Sequence, residues 1–270
     1  MKKIKDIVKI AAFDVDGTLL PNGHMRFSNN IRKMFQELRE HKIISVLATA
    51  REFATIGDFL EQLNPDYFIG ANGTFIWDVQ NKEFVYKKTL IKDEVIQLYH
   101  LIQDDVRGFS ITDFNKVYKS PNVNLNSWFI RPFKDNYHDF DEEVLGTDDL
   151  YVITLNTEHP NEVSEKINKI IQENNFQMEV SAIWSKGIFV GPIAINKSNA
   201  LSYLTNKLGL SLDNLIAFGD SENDYEMLKD AFYGVAMECA KQPIKEVAKD
   251  IALDCEYDGT YLKLKELEII

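Results

Sequence analysis

The sequence predicts an α/β fold, in which a doubly wound (Rossmann-like) parallel sheet carries an inserted α+β domain. Three observations predict this fold. Short apolar strand patterns alternate with amphipathic helix patterns over residues 7–70, and such alternation gives right-handed βαβ units. The same alternation of strand and helix patterns returns near residue 190. Between these halves, several strand patterns alternate apolar and polar residues, as in an antiparallel sheet with one face in water.

The first half of the predicted core begins with an apolar run that ends at Phe13. Ser28 can cap the next helix, whose apolar face carries Ile31, Phe35 and Leu38. The remaining predictions in this half are strands at Ile43–Ala48 and Tyr67–Gly70, with an amphipathic helix at Phe53–Leu63 between them.

The second half repeats the strand and helix pattern. Leu201, Leu204 and Leu208 mark a helix, and Gly209 is a suitable residue just after its end. Further predictions are strands at Leu215–Phe218 and Gly234–Met237 and a helical tail from Tyr261.

The interruption between the halves divides the chain into a core of residues 1–81 and 190–270 and an insertion of residues 82–189. The insertion is too long for a connecting loop and long enough for a small domain. Its predicted helices lie near residues 92–103 and 160–174, and its predicted strands are Phe84–Lys87, Phe109–Tyr118, Trp128–Ile130, Leu150–Asn156 and Gln177–Trp184.

Composition limits the classes of function. The 42 acidic residues outnumber the 30 basic ones, giving a net charge of −12. This balance argues against a general nucleic-acid binder, which needs a basic face, but it permits an anionic small substrate beside a metal and a lysine. The start of the chain lacks the apolar stretch of a signal peptide, and no run is apolar enough to span a membrane. We therefore expect a soluble cytoplasmic protein, in which Cys239 and Cys255 are more simply two reduced thiols than a disulfide.

The run Asp14–Thr18 is the most informative part of the sequence, because a buried strand would deliver the carboxylates of Asp14 and Asp16 to the rim of a sheet. A carboxylate there can bind a hard divalent cation or attack phosphorus. A calcium-binding EF-hand loop is excluded, since that loop requires Gly and Glu where this chain has Leu19 and Met25.

Three later fragments supply other parts of such chemistry. Thr49 follows a predicted strand, where a hydroxyl and free N–H groups suit a phosphoryl oxygen. Lys197 lies at a helix start, a position that is easier to explain if the lysine faces an anion. The run Gly219–Asp224 offers oxygen ligands of the kind that Mg²⁺ prefers. Each fragment alone has a simpler explanation as a helix cap, an exposed lysine or an acidic helix start.

Together and in this order, the four fragments resemble the motifs of the haloacid dehalogenase-like (HAD) phosphatase superfamily. The large insertion, preceded by Ala71–Thr74, resembles the Cof-type branch, whose members carry an α/β cap and mostly act on sugar phosphates and similar esters. Two positions depart from that branch, because Ala50 and Ser198 stand where it usually has glycine. These departures bear on loop shape and substrate preference more than on chemistry.

The resemblance implies a role for each motif residue. Asp14 would be the nucleophile, and Asp16 the general acid and base. Mg²⁺ would be held by Asp14, Asp16 and Asp220, with Asp224 supporting it indirectly. The phosphoryl oxygens would be bound by Thr49, Lys197 and Asn223.

Alternatives to a phosphatase remain open at this point. A phosphomutase would share the core, and a non-catalytic phospho-ligand binder or regulator would not need a nucleophile. The implied partner is a small phosphorylated metabolite, with no nucleic acid, membrane or protein partner. Five insertion residues could meet a phosphate ester, although each is more simply a packing or surface residue: Trp128, Arg131, His138, Trp184 and Lys186.

Overall fold

The computed structural model describes residues 3–270. In chain order the strands are β1 (Ile10–Phe13), β2 (Ile44–Ala48), β3 (Tyr67–Gly70), β4 (Phe75–Asp78), β5 (Glu83–Lys87), β6 (Gly108–Asp113), β7 (Lys116–Lys119), β8 (Tyr137–Asp139), β9 (Leu150–Asn156), β10 (Met178–Trp184), β11 (Gly187–Pro192), β12 (Leu215–Gly219), β13 (Tyr233–Met237) and β14 (Asp250–Ala252). The α-helices are α1 (Ile4–Ile7), α2 (Asn29–Glu40), α3 (Phe59–Leu63), α4 (Lys92–Ile102), α5 (Pro160–Asn174), α6 (Lys197–Lys207), α7 (Tyr225–Asp230), α8 (Gln242–Val247) and α9 (Gly259–Glu266).

The described chain forms two compact units. The first comprises the chain up to Ala50, Asp58–Tyr86 and Asn196–Ile270, and the second comprises Arg51–Gly57 and Lys87–Ile195. Among residues 3–270, no helix combines the length and the apolar character needed to cross a bilayer.

The first unit is built on an eight-stranded sheet in the order β14-β13-β12-β1-β2-β3-β4-β5. The strands from β14 to β3 are parallel, and β4 pairs antiparallel with β3. On β1, Phe13 packs against Phe35 of α2, with ring centroids 5.4 Å apart, whereas Ala12 joins the buried cluster that includes Leu201 of α6. Because successive strand residues point to opposite faces, α2 and α6 cover opposite faces of the sheet. The predicted doubly wound α/β fold is confirmed.

Local sequence explains the helices of this unit. In α2 the buried residues recur at helical spacing, and the Ser28 hydroxyl accepts a hydrogen bond from the Ile31 N–H at 3.1 Å, as an N-cap does. At the end of α6, Gly209 adopts φ +70°, the left-handed conformation expected just after a helix. Both features follow the sequence prediction.

The second unit is built on a six-stranded sheet in the order β10-β11-β9-β6-β7-β8. Its neighbouring strands pair antiparallel, except that β7 and β8 are parallel. Helices α4 and α5 pack on it through one buried apolar cluster that includes Leu98, Ile153 and Ile167. The predicted helices and most predicted strands of the insertion are therefore present.

Four local predictions differ from the structure. The predicted strand Phe109–Tyr118 is two antiparallel strands, β6 and β7. The strand Phe84–Lys87, predicted for the insertion, pairs in the larger sheet as β5. The bounds 82–189 stay a prediction, whereas the second compact unit comprises Arg51–Gly57 and Lys87–Ile195. Residues Trp128–Ile130 form turns rather than a strand. Of the predicted helix at Phe53–Leu63, only Phe59–Leu63 is α-helical.

The missing helical turns have a local cause. The Glu52 carboxylate accepts hydrogen bonds from the Ala54 N–H at 2.7 Å and from the Thr55 hydroxyl at 3.0 Å. Gly57 then adopts φ +58°. Side chains that bond to the nearby backbone compete with the helix, and a left-handed residue interrupts it. Residues 51–57 instead pack within the second unit, where the Arg51 guanidinium lies 4.6 Å from the ring centroid of Phe129.

Candidate active site

Three neighbouring strands of the larger sheet end at one edge and place polar residues there. The register pairs Phe13 of β1 with Phe218 of β12 on one side and with Leu47 of β2 on the other. Asp14 follows β1, and Thr49 and Asp220 follow the two neighbours. Open parallel sheets bind ligands at this carboxyl edge.

The Lys197 ammonium joins two carboxylates at this edge. Its Nζ lies 2.6 Å from Oδ1 of Asp14 and 2.7 Å from Oδ1 of Asp224. Lys197 is fully buried, and Asp14 is only 5% exposed. The lysine is the first residue of α6, after the N-cap Asn196, whose side chain accepts a hydrogen bond from the Asn199 N–H at 2.7 Å. A positive charge at a helix start is unfavourable because of the helix dipole. Here the two carboxylates compensate for that cost.

Both oxygens of the Asp224 carboxylate accept hydrogen bonds. While Oδ1 binds Lys197, Oδ2 accepts the N–H groups of Asp220 and Ser221 at 3.0 and 3.1 Å. A Cβ on Gly219 would lie 2.5 Å from the Asp224 side chain, so only glycine fits there. Asp224 therefore fixes the loop that carries Asp220.

Asp220 is held in turn by two hydroxyls. Thr18 Oγ1 donates to its Oδ1 at 3.1 Å, and Ser221 Oγ donates to its Oδ2 at 3.2 Å. Gly17 adopts φ +88°, and a Cβ there would lie 2.7 Å from Asp220 Oδ2. These three residues had no predicted role, although Gly17 and Thr18 lie inside the first fragment and Ser221 lies inside the fourth.

Burial dominates the electrostatics of the cluster. Burial raises the pKa of Asp14 well above its usual range, because it outweighs the charge of Lys197. Burial, and then the charge of Asp224, raises the pKa of Asp220 to about 7. Burial alone would disfavour the ammonium, but the two carboxylates hold the pKa of Lys197 above its usual value. One ammonium thus faces more carboxylate charge than it can neutralise.

A divalent cation would correct this imbalance. Carboxylate oxygens of Asp14, Asp220 and Asp224 all lie within 4.8 Å of one another. Oxygen donors with excess negative charge are the ligands of hard divalent cations, so the residues present fit such a group.

The remaining predicted residues of the core belong to the same unit. Asp16 is half-buried, two residues after Asp14. Thr49 is buried; its N–H donates to the Ile69 carbonyl at 3.0 Å, and its carbonyl accepts from the Asn72 N–H at 3.0 Å. Asn223 is half-buried and donates to Oδ1 of Asn72 at 2.9 Å. The structure therefore gathers all seven predicted core residues in one unit.

The two departures from the family pattern do not strain the backbone. Neither Ala50 nor Ser198 has a positive φ, so neither position requires glycine. Ser198 is buried within α6 and donates a hydrogen bond to Oδ2 of Asp230 at 2.7 Å.

The five insertion candidates lie in the second unit and do not form one built site. Trp128 is 51% exposed, Arg131 and Lys186 are exposed, and Trp184 packs against Phe189 with ring centroids 4.5 Å apart. His138 lines an open concavity of about 1060 Å³ on this unit. That concavity contains no residue of the acidic cluster, and its size alone does not make it the reaction site.

Comparison with known proteins identifies the family. A family model for the haloacid dehalogenase-like hydrolases matches residues 11–264. A phosphatase of Bacillus subtilis, the 5-amino-6-(5-phospho-D-ribitylamino)uracil phosphatase YcsE, is 32% identical over 242 residues, which cover 89% of this chain and 88% of the relative.

Solved structures share the fold. A haloacid dehalogenase-like hydrolase from Bacteroides thetaiotaomicron superposes with a TM-score of 0.84 at 22% identity, covering 96% of this chain and 99% of that one. The HAD subclass IIB sugar phosphatase BT4131 gives a TM-score of 0.82 at 20% identity, covering 97% and 100%. The match over residues 11–264 and the relative at 32% identity confirm the predicted family: this chain belongs to the haloacid dehalogenase-like hydrolases.

Proposed function

We propose that the protein is a Mg²⁺-dependent phosphatase that hydrolyses small phosphate esters, sugar phosphates or similar metabolites, through an aspartyl-phosphate at Asp14. One observation carries this proposal: in a hydrolase of this family, buried Lys197 binds Asp14 beside two further carboxylates at the carboxyl edge of the sheet. A nucleophile, a counter-charge and a metal-binding donor set are what phosphoryl transfer requires.

The proposed mechanism proceeds in two displacements. An Asp14 oxygen attacks phosphorus, the bond from phosphorus to the ester oxygen breaks, and Asp16 gives its proton to the leaving alcohol. Asp16, now a carboxylate, takes a proton from water; the water oxygen attacks phosphorus and releases inorganic phosphate from Asp14.

The surrounding residues stabilise the charge that develops. Thr49, Lys197 and Asn223 bind the phosphoryl oxygens, and Lys197 also orients Asp14. Asp14, the Asp16 carbonyl and Asp220 would hold Mg²⁺, with Asp224 supporting them indirectly. The bound cation would offset the repulsion between the Asp14 carboxylate and the phosphoryl group.

We also propose that the second unit, predicted as residues 82–189, selects the leaving group. Substitutions at Trp128, Arg131, Trp184 or Lys186 should then change the ranking of natural substrates more than the hydrolysis of p-nitrophenyl phosphate. An unchanged ranking in all four variants would contradict this role. His138 is a fifth position for the same test.

A screen of phosphorylated metabolites with free phosphate as the readout tests the function. It should include sugar phosphates and 5-amino-6-(5-phospho-D-ribitylamino)uracil, on which the Bacillus relative acts by its name. We expect phosphate release that excess EDTA stops. Conversion to an isomeric phosphate ester would favour a phosphomutase, and binding without turnover would favour a regulator. The cytoplasmic location stays a prediction, which cell fractionation can test.

A further inference from the structure

The three-residue turn Ala71–Gly73, which follows β3, has an unusual backbone. Its residues are buried, and all three have positive φ: Ala71 at +48°, Asn72 at +58° and Gly73 at +109°. For Ala71 this left-handed conformation is unfavourable, because its Cβ approaches the following carbonyl. Strain of this kind persists only where the surroundings fix it, and it concentrates at functional sites.

The contacts of this turn lead to the groups proposed to bind the phosphoryl oxygens. The Asn72 N–H donates to the Thr49 carbonyl at 3.0 Å. Asn72 Oδ1 accepts from Nδ2 of Asn223 at 2.9 Å. Gly73 lies so close to the start of α6 that a Cβ there would be 2.4 Å from the carbonyl oxygen of Asn196, the residue before Lys197. All these residues belong to the first unit.

We propose that Asn72 is a positioning residue that orients the amide of Asn223. An amide NH₂ has two N–H donors, and its oxygen is an acceptor that would repel a phosphoryl oxygen. By accepting one N–H, Asn72 fixes which end of the Asn223 amide faces the site and leaves the other N–H for the phosphoryl group. This inference rests on the proposed function, which assigns Asn223 to that group.

The residue type at position 72 meets two requirements at once. Asparagine tolerates the left-handed conformation better than other non-glycine residues. It is also a neutral acceptor, whereas an aspartate would add a negative charge beside the phosphoryl site. At 6% exposure its side chain has little access to water that could replace this hydrogen bond.

The test is a double-mutant cycle of Asn72→Gly and Asn223→Ala. Glycine keeps the backbone conformation and removes the acceptor. Asn72→Gly alone should lower kcat/KM for p-nitrophenyl phosphate roughly tenfold, the loss of one hydrogen bond, and should weaken binding of inorganic phosphate by a similar factor. In the Asn223→Ala background the same change should have almost no further effect, because Asn72 acts through Asn223.

A matched control separates this role from a general effect on folding. Asn64 is another asparagine with positive φ, +48°, at the end of α3, and Asn64→Gly should leave both quantities unchanged. The inference is overturned if Asn72→Gly has the kcat/KM of the wild type. It is also overturned if the loss of kcat/KM in Asn72→Gly adds fully to the loss in Asn223→Ala.

Calorimetric binding of inorganic phosphate distinguishes this inference from the proposed function. If the wild type binds phosphate and Asn72→Gly weakens that binding, but the wild type hydrolyses no ester, the result would contradict the phosphatase and support the positioning role. A wild-type protein that binds no phosphate would contradict both.

Discussion

The buried charge of Lys197 depends on two charged neighbours. Its ammonium is fully buried between Asp14 and Asp224. A buried charge survives because its partners are also charged and close, and removing one partner leaves the others uncompensated.

Replacing Lys197 by methionine should therefore destabilise the protein strongly. We expect the free energy of unfolding to fall by about 3–5 kcal/mol, the cost of breaking a buried ion pair. Denaturant unfolding followed by tryptophan fluorescence measures it. Lys207→Met, at the exposed last residue of the same helix, is the control and should change little. Equal effects of the two substitutions would contradict the account.

Asp14→Asn should separate activity from stability. The amide has nearly the shape of the carboxylate but is not a nucleophile. We expect kcat to fall at least about a thousandfold, since the nucleophile is lost. Thermal unfolding should show that the variant still folds cooperatively. A variant with near-wild-type turnover would contradict this assignment.

The charged residues of the candidate site could be predicted from the sequence, but the groups that hold them in place could not. Asp14, Lys197 and Asp220 were recognisable because their side chains carry the chemistry. Asn72 and Ser221 were given no role, because a short polar residue in a turn has the same pattern whether it serves the turn or a neighbouring side chain.

At the scale of an element, the segment 51–57 shows where helical periodicity misleads. The pattern from Phe53 to Leu63 is helical, but the Glu52 carboxylate caps a tight turn, and Gly57 delays the helix to Phe59. Strand patterns fail for a related reason. Three aromatic or β-branched residues at 128–130 favour a strand, but no strand within residues 3–270 pairs with them.

Glu52 should make stability depend on pH in an unusual direction. Burial raises its pKa to about 7 from an ordinary value of 4.5. The folded state then binds the proton more tightly than the unfolded state, so stability is present at low pH and is lost as the pH rises through this window. The free energy of unfolding of the wild type should fall between pH 5 and pH 8 by roughly 1–3 kcal/mol more than that of Glu52→Gln.

Denaturant unfolding across this pH range measures that difference. Glu61→Gln, at an exposed carboxylate of α3, is the control. Its free energy of unfolding should change with pH as that of the wild type does. If the wild type and Glu52→Gln have parallel pH profiles, Glu52 does not titrate in this range.

In the whole molecule, the strand and helix patterns predicted both sheets, and the four motif fragments predicted the family. The exact division was not predictable, because β5 is a short strand at the edge of its sheet, and both sheets of this protein have edge strands. Which sheet an edge strand joins depends on long-range pairing that a local pattern does not contain.

A divalent cation should stabilise the whole folded protein. The acidic cluster exists only in the folded state, so Mg²⁺ at a hundredfold excess over its Kd should add about 2.7 kcal/mol to the free energy of unfolding. Thermal unfolding with and without Mg²⁺ measures this gain, and Asp220→Asn should abolish most of it. EDTA should remove both the stabilisation and the activity. Full activity in excess EDTA would contradict the metal assignment.

Trapping the covalent phosphoenzyme shows whether Asp14 is the nucleophile. A slowly hydrolysed ester is mixed with the protein and Mg²⁺, the reaction is stopped with acid within one turnover, and the peptides are sequenced by mass spectrometry. We expect one phosphoryl group on Asp14, absent from Asp14→Asn and removed by hydroxylamine, which cleaves acyl phosphates. A phosphoryl group on another residue, or turnover without any phosphoenzyme while the substrate is in excess, would contradict it.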